Sequence, residues 1–274
     1  MLINTVIIIS LFKDYDRRNN AIKQCKKINI HNIIIIEAID GKKENIDMHI
    51  ACTLSHIKAW KYVLNNNIKN YIIVEDDIIF SHKWNNIIDD LIIPDINWDI
   101  ILFGYFGLSN INKNYSLIEK ILFNLPYVGN ELYKNPNSKK INNNFFIPES
   151  PLGLHCYTIN DKSIKLLINY FKKPFNLPDV MLNLYSRDLN IIAINPCLAF
   201  QDIKQFNSSL INHSFLLPLF NLIIYDEYIP LGWRLSHYGK KIYNIPINGF
   251  TYIYIIIIII FLILITTIKS KSSK

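Results

Sequence analysis

The chain has 274 residues, half of them hydrophobic and 19% charged, which excludes a mainly disordered protein. Its length suits one large domain or two small ones, since domains run about 100–150 residues and single cores stop growing near ~250–300. The net charge of +7 rests on lysines dispersed among Ile and Asn, with arginine only at positions 17, 18, 187 and 234. A polyanion-binding face would gather its basic residues, so a nucleic-acid partner is not expected. Four scattered cysteines, Cys25, Cys52, Cys156 and Cys197, offer no C-x-x-C pair, and no His stands at zinc-ligand spacing. They read as buried thiols of a reducing compartment rather than as a disulfide frame.

In chain order, short β-branched runs alternate with helical patterns. Thr5–Phe12, Asn32–Ile39, Tyr71–Phe80 and Trp98–Tyr105 are near-continuous apolar runs, the pattern of strands buried on both faces. Between the first two, Ile22, Cys25 and Ile28 fall on one helical face. Between the second and third, Ile50, Leu54, Ile57 and Leu64 do the same. Strand, helix, strand, helix, strand predicts an α/β fold with a mainly parallel sheet, and such sheets bind ligands at the carboxyl ends of their strands.

Periodicity fails from Ser109 to Glu149, a stretch rich in Asn, Lys and Pro, which predicts a long loop with one short helix around Leu117–Leu125. A strand is expected within 151–160, then a helix over 161–171 with Asp161 as its N-cap, then a final strand over Leu189–Phe200. Residues 213–249 are apolar but broken by Pro218 and Pro230, and read as a segment near a membrane surface. Residues 250–268 carry no charge over about nineteen positions, enough to cross a ~30 Å hydrocarbon core as a helix, with Tyr252 and Tyr254 at its edge. A C-terminal membrane anchor is therefore expected. The first twelve residues lack the basic flank and cleavage site of a signal peptide, so the domain expected over residues 1–212 is expected on the cytosolic side. The N-x-S sequons at Asn114, Asn207 and Asn212 are expected by chance in so Asn-rich a chain.

The chemistry concentrates in Glu75-Asp76-Asp77, three consecutive carboxylates inside an apolar run. Buried together they would repel one another and lose hydration unless something cationic stood beside them. Along an unbroken strand Glu75 and Asp77 would share a face and Asp76 the other; a strand ending there would bring the acids out at the ligand edge. Mg²⁺ or Mn²⁺ takes one or two such carboxylates, with substrate phosphates filling other positions. A solvated polar turn is the alternative.

Several ordered motifs resemble glycosyltransferase family 25, the lipopolysaccharide-biosynthesis and procollagen galactosyltransferase-like family. They are VIIISLFKDYDRR (6–18), EAIDG (37–41), ACTLSHIKAW (51–60), YIIVEDDIIF (71–80), WDIILFG (98–104), GLHCYTINDKSIKLL (153–167), LPDVML (177–182) and NPCLAFQDIKQFNSSL (195–210). Ala51 stands where the family usually has glycine, and Asn160-Asp161 where a Ser-Gly type turn is more usual. The resemblance implies a GT-A-like nucleotide-sugar fold, a UDP-sugar donor, a Mn²⁺ (or Mg²⁺) cofactor and a hydroxyl acceptor on a glycan, lipid or protein. It implies Glu75, Asp76 and Asp77 as metal residues, with Asp77 central to catalysis. Arg17 and Arg18 would steady the diphosphate, Ser55, His56 and Gln201 would lie by the donor, and Asp179 would be the acceptor's base. Tyr157 and Trp60 are expected in the core. The rivals are a metal-dependent phosphatase or nuclease, which would need acids on several strand ends, and a non-catalytic membrane-tethered relative that binds a sugar nucleotide or a glycan.

Overall fold

The computed structural model describes residues 2–106, 139–148, 152–186, 188–202 and 205–206, short stretches at 224–226, 229–230, 239–242 and 245–248, and single residues 255 and 258. The chain divides into two compact units, residues 1–113 with 132–210, and residues 114–131 with 211–274.

In the first unit the sequence condenses as β1 (Thr5–Ser10), α1 (Tyr15–Lys27), β2 (Asn32–Glu37), α2 (Gly41–Glu44), α3 (Met48–Asn65), β3 (Tyr71–Glu75), β4 (Ile78–Phe80), α4 (Trp84–Asp89) and β5 (Ile100–Phe106). There follow β6 (Lys139–Lys140), β7 (Phe145–Ile147), β8 (Leu152–Ile159), α5 (Asp161–Tyr170), α6 (Pro178–Leu184), β9 (Ile191–Ile194) and β10 (Ala199–Gln201). Eight strands form one sheet in the order β2-β1-β3-β8-β5-β9-β7-β6. The sheet is α/β as expected but mixed. β1 pairs in parallel with β2 and β3, and β5 with β9, while β8 runs against both β3 and β5.

Side chains alternate across a strand, so each buried run feeds two cores. Ile7, Ile9, Ile73, Leu102 and Tyr157 join Trp60 and Val63 of α3 and Phe171 on one face. Val6, Ile8, Ile72, Val74 and Phe103 join Ala21 and Cys25 of α1 and Ile88 of α4 on the other. Two covered faces explain why β1 and β3 read as continuous apolar runs.

Two expected strands are broken. Tyr71–Phe80 is β3 and β4 separated by a turn at Asp76-Asp77, and Leu189–Phe200 is β9 and β10 separated by a loop through Pro196. β4 and β10 leave the main sheet and pair with each other, Gln201 opposite Ile78. The expected 109–149 loop carries β6 and β7 at its end; residues 107–138, with the helix expected at 117–125, lie outside the described residues. The cap of α5 is Asn160, whose side chain accepts from the Ser163 amide, while Asp161 is the first helical residue and pairs with Lys69. An uncharged amide one position earlier has the extended backbone a cap needs. The inward side of α3 also differs from its apolar stripe: Ser55, His56 and Trp60 are buried with Ile57, whereas Leu54 and Leu64 are only partly covered.

In the second unit, within the segment expected near a membrane, β11 (Ile224–Asp226) pairs with β12 (Ile229–Pro230) and β13 (Gly239–Ile242) with β14 (Ile245–Asn248), all antiparallel. Of the expected span 250–268, only Ile255 and Ile258 are described, both helical, and the rest lies outside the described residues. No helix among the described residues is long and apolar enough to cross a membrane.

Candidate functional site

The carboxyl ends of β1, β2 and β3 open onto a cavity of about 520 Å³. Its walls follow from how the chain leaves each strand. After β1 the chain bends through Leu11–Asp14 into α1, bringing Lys13 and Arg17 to the rim. After β2, Asp40 caps the short α2 by accepting from the Lys42 and Lys43 amides, and its other oxygen meets Lys13 Nζ at 2.6 Å across the mouth. Gly41 is buried so closely that an added Cβ would stand 2.9 Å from the Ile46 carbonyl oxygen. The inner wall is Cys52 and Ser55 of α3, with Glu75 and Asp76 at the end of β3.

The acidic turn is sorted by its partners. Glu75 Oε2 accepts from Gln201 Nε2 at 2.8 Å, and its Oε1 faces His56 Nε2 at 3.6 Å. Asp76 Oδ1 accepts from Arg17 Nε at 2.7 Å, and Asp77 Oδ2 meets Arg17 Nη2 at 3.0 Å. Because the strand stops at Glu75, Asp76 and Asp77 share one guanidinium instead of pointing to opposite faces. Asp77 Oδ1 is buried with no hydrogen-bond partner.

The electrostatics follow this sorting. Burial alone would raise the Glu75 pKa, but His56, His155 and Arg17 together hold it below the ordinary value. Asp76 is raised, burial outweighing Arg17. Asp77 is pushed up to about 7 by burial and by the Glu75 charge, against the pull of Arg17. A group so poised favours a neutral form, or a second cation beside it. Burial works against the Arg17 charge too, yet Asp77 and Asp76 raise its pKa overall.

Arg17, Glu75, Asp76, Asp77, His56 and Gln201 are thus brought together from elements up to 126 residues apart. Arg18 is turned away: its Nη1 donates to the Leu11 and Phe12 carbonyls and shapes the loop. Ser55 reaches the wall, but its hydroxyl donates to the Ala51 carbonyl and accepts from the Ile39 amide, tying α3 to the end of β2. His56 is buried behind Glu75. Asp179, half-buried on the first turn of α6, accepts from the Gly153 amide at 2.9 Å and the Val180 amide at 2.8 Å, and burial still raises its pKa. No group of three or more His, Cys, Asp or Glu among the described residues is arranged to hold a metal ion.

The residue expected only as core filling is Tyr157. Buried on β8, its hydroxyl lies 2.8 Å from both His56 Nδ1 and Trp60 Nε1. A tyrosine in the mostly apolar run of β8, beside His155 and Thr158, is the sequence signal for such a role, since a buried hydroxyl must find partners.

The profile of glycosyltransferase family 25 (LPS biosynthesis protein) matches residues 46–182, half of the chain, and covers α3, the acidic turn and Asp179. The chain belongs to glycosyltransferase family 25. This family 25 chain is 25% identical over 127 residues to procollagen galactosyltransferase 2 of Mus musculus, a match covering 36% of the chain and 20% of that protein. It therefore spans about a fifth of the length of that relative. A putative glycosyltransferase of Haemophilus influenzae is 26% identical over 232 residues, with 74% of each chain covered. Among solved structures, a glycosyltransferase involved in glycosylation of the major capsid of PBCV-1 aligns with 10% identity and a TM-score of 0.41, over 72% of this chain and 82% of its own.

Proposed function

We propose that this family 25 chain transfers a hexose, galactose or glucose, from a UDP-sugar to a hydroxyl of a glycan, lipid or protein, on a GT-A-like nucleotide-sugar fold and with the help of a divalent cation. One observation carries the reading: a buried carboxylate oxygen without a partner, Asp77 Oδ1, in an acidic turn at the strand ends that open onto a 520 Å³ cavity. The family membership and the galactosyltransferase name of a relative support the sugar chemistry.

The residues present fit Mn²⁺ or Mg²⁺, which commonly takes one or two carboxylates and completes its shell with phosphates and water. Asp77 would hold it through Oδ1, with Asp76 beside it. When bound, such a cation neutralises the charge that develops on a departing diphosphate. Arg17 already pins Asp76 and Asp77, and so holds the turn in shape while adding positive charge at the cavity rim. Glu75, held below its ordinary pKa, stays an acceptor for donor or sugar hydroxyls on the wall.

Asp179 is the proposed base for the acceptor. Its raised pKa suits proton uptake, and the two backbone amides fix its orientation. Asp179→Ala should abolish transfer to acceptor while UDP-sugar binding, followed by calorimetry, persists; a collapse of donor affinity would assign the residue to the donor site or the fold instead. The uncharged run 250–268 is proposed as a membrane anchor, with residues 1–212 on the cytosolic side. The overall reading is tested by incubating the full chain in detergent with Mn²⁺ and a panel of UDP-sugars. UDP release stimulated by an acceptor and lost in EDTA supports it, and full release in EDTA overturns the metal.

A further inference from the structure

The hydroxyl of Tyr157 has two nitrogen neighbours and one proton. An indole nitrogen can only donate, so at 2.8 Å the hydroxyl accepts from Trp60 Nε1. Burial keeps the phenol protonated, raising its pKa well above the ordinary value. The proton then goes to the remaining neighbour, His56 Nδ1 at 2.8 Å, which must be bare to accept it. The ring proton of His56 accordingly sits on Nε2, the nitrogen that faces Glu75 Oε1 at 3.6 Å.

The three rings have little room to choose otherwise. His56 is stacked on Tyr157 with centroids 5.8 Å apart, Trp60 packs edge-on against Phe171 at 5.1 Å, and Trp60, His56 and Tyr157 are all at most 1% exposed. At the other end, Gln201 donates to Glu75 Oε2 from β10, a strand reaching the site by a separate route. We infer that Trp60 and Tyr157 set His56 as the Nε2–H tautomer, and that His56 is thereby a positioning residue that works with Gln201 to hold Glu75 in one orientation on the cavity wall. His56 thus acts through Glu75 rather than by touching the donor. Both Glu75 oxygens face protein donors, whereas Asp77 Oδ1 has none. The line of donors divides the acidic turn into an anchored carboxylate and one left for a cation.

The effect on turnover rests on the sugar-transfer reading; the tautomer does not. The test uses the full chain labelled with ¹⁵N-histidine at about pH 8, on the neutral side of histidine chemistry. The His56 resonances are identified by their loss in His56→Gln. The expected spectrum shows a bare Nδ1 and a protonated Nε2; a proton on Nδ1, alone or with one on Nε2, overturns the inference whether or not the chain is active. Tyr157→Phe removes the hydroxyl and keeps the ring, so the single tautomer should give way to a mixture. Turnover should fall about ten-fold, as is typical when a group orienting a ligand is lost. In a Glu75→Gln background the same substitution should cost nothing further, because its effect passes through that carboxylate. Additive losses would mean that Tyr157 acts only through the fold, and would overturn the positioning role.

Discussion

The two halves of the main sheet end differently. In the half made of β2, β1 and β3, the carboxyl ends are left open: Ser10, Asp40, Glu75 and Asp76 border a cavity, and buried charge is balanced by an arginine from a helix. In the half containing β5, β8 and β9, the corresponding region is closed by protein. The Leu198 amide donates to the Phe103 carbonyl, and His155 donates through Nε2 to the Ala199 carbonyl at 3.1 Å. Gly104 makes this seal possible, since a Cβ there would stand 2.4 Å from His155 Nε2 and 2.8 Å from the Ala199 carbonyl oxygen. Where strand ends satisfy their polar groups internally the fold gains rigidity. Where they cannot, a ligand can complete them; Asp77 Oδ1, buried and without a hydrogen-bond partner, belongs to the acidic turn that follows β3 in that half.

The sharpest way to break this contrast is Asp77→Asn. On the open side it should lower UDP release by at least about 10²-fold, the loss seen when a main electrostatic stabiliser is removed. The same variant should be more stable than the parent near neutrality. Asp77 is pushed up to about 7, so between the ordinary aspartate range and neutrality the folded chain holds a proton that the unfolded chain has released. Unfolding free energy therefore declines as pH rises through that window, and an amide removes the decline. The thermal midpoint of Asp77→Asn at about pH 7.5 without metal should exceed the parent's by roughly 2–4 °C. A lower midpoint with normal turnover would make Asp77 a structural residue like those of the closed side.

Arg17→Ala comes next. It leaves Asp76 and Asp77 buried without their counter-charge, and urea unfolding near neutral pH should show a loss of about 3 kcal/mol. A loss under about 0.5 kcal/mol, the range of exposed pairs, would show that solvent already screens the turn. On the closed side, Gly104→Ala forces His155 and β10 to shift, at a cost of roughly 1–3 kcal/mol. Because β10 carries Gln201, turnover should fall as well; stability loss with unchanged turnover would separate the seal from the site. Asn160→Ala removes the cap of α5, far from both, and should cost about 1 kcal/mol by thermal unfolding with turnover unaffected.

Much of this was readable before the fold was seen. The strands β1, β2, β3 and β5, the helices α1 and α3 between the first three, and the clustering of Glu75, Asp76 and Asp77 in an apolar run all follow from local pattern. The break at Asp76-Asp77 was not readable, since Ile78–Phe80 continues the apolar run and only its pairing with β10 pulls it from the main sheet. Nor was the division of labour between the two arginines: Arg17 and Arg18 are adjacent in sequence, yet α1 directs one to the acids and the other to backbone carbonyls.

The sequence by itself determined the alternation of β1, α1, β2, α3 and β3 and the two-sided burial of their strands, because side-chain periodicity is a local property of the chain. It also showed three consecutive carboxylates inside an apolar run, in a chain whose ordered motifs resemble family 25. The tertiary structure alone decided which cation meets which carboxylate, why His56 lies behind Glu75, and which oxygen stays unpartnered. Those outcomes depend on contacts between residues 59 to 126 positions apart, among them Arg17 with Asp76, His56 with Tyr157 and Gln201 with Glu75. A buried charge or hydroxyl must find a partner, but only the packing of α1, α3, β8 and β10 around the end of β3 determines which partner is within reach.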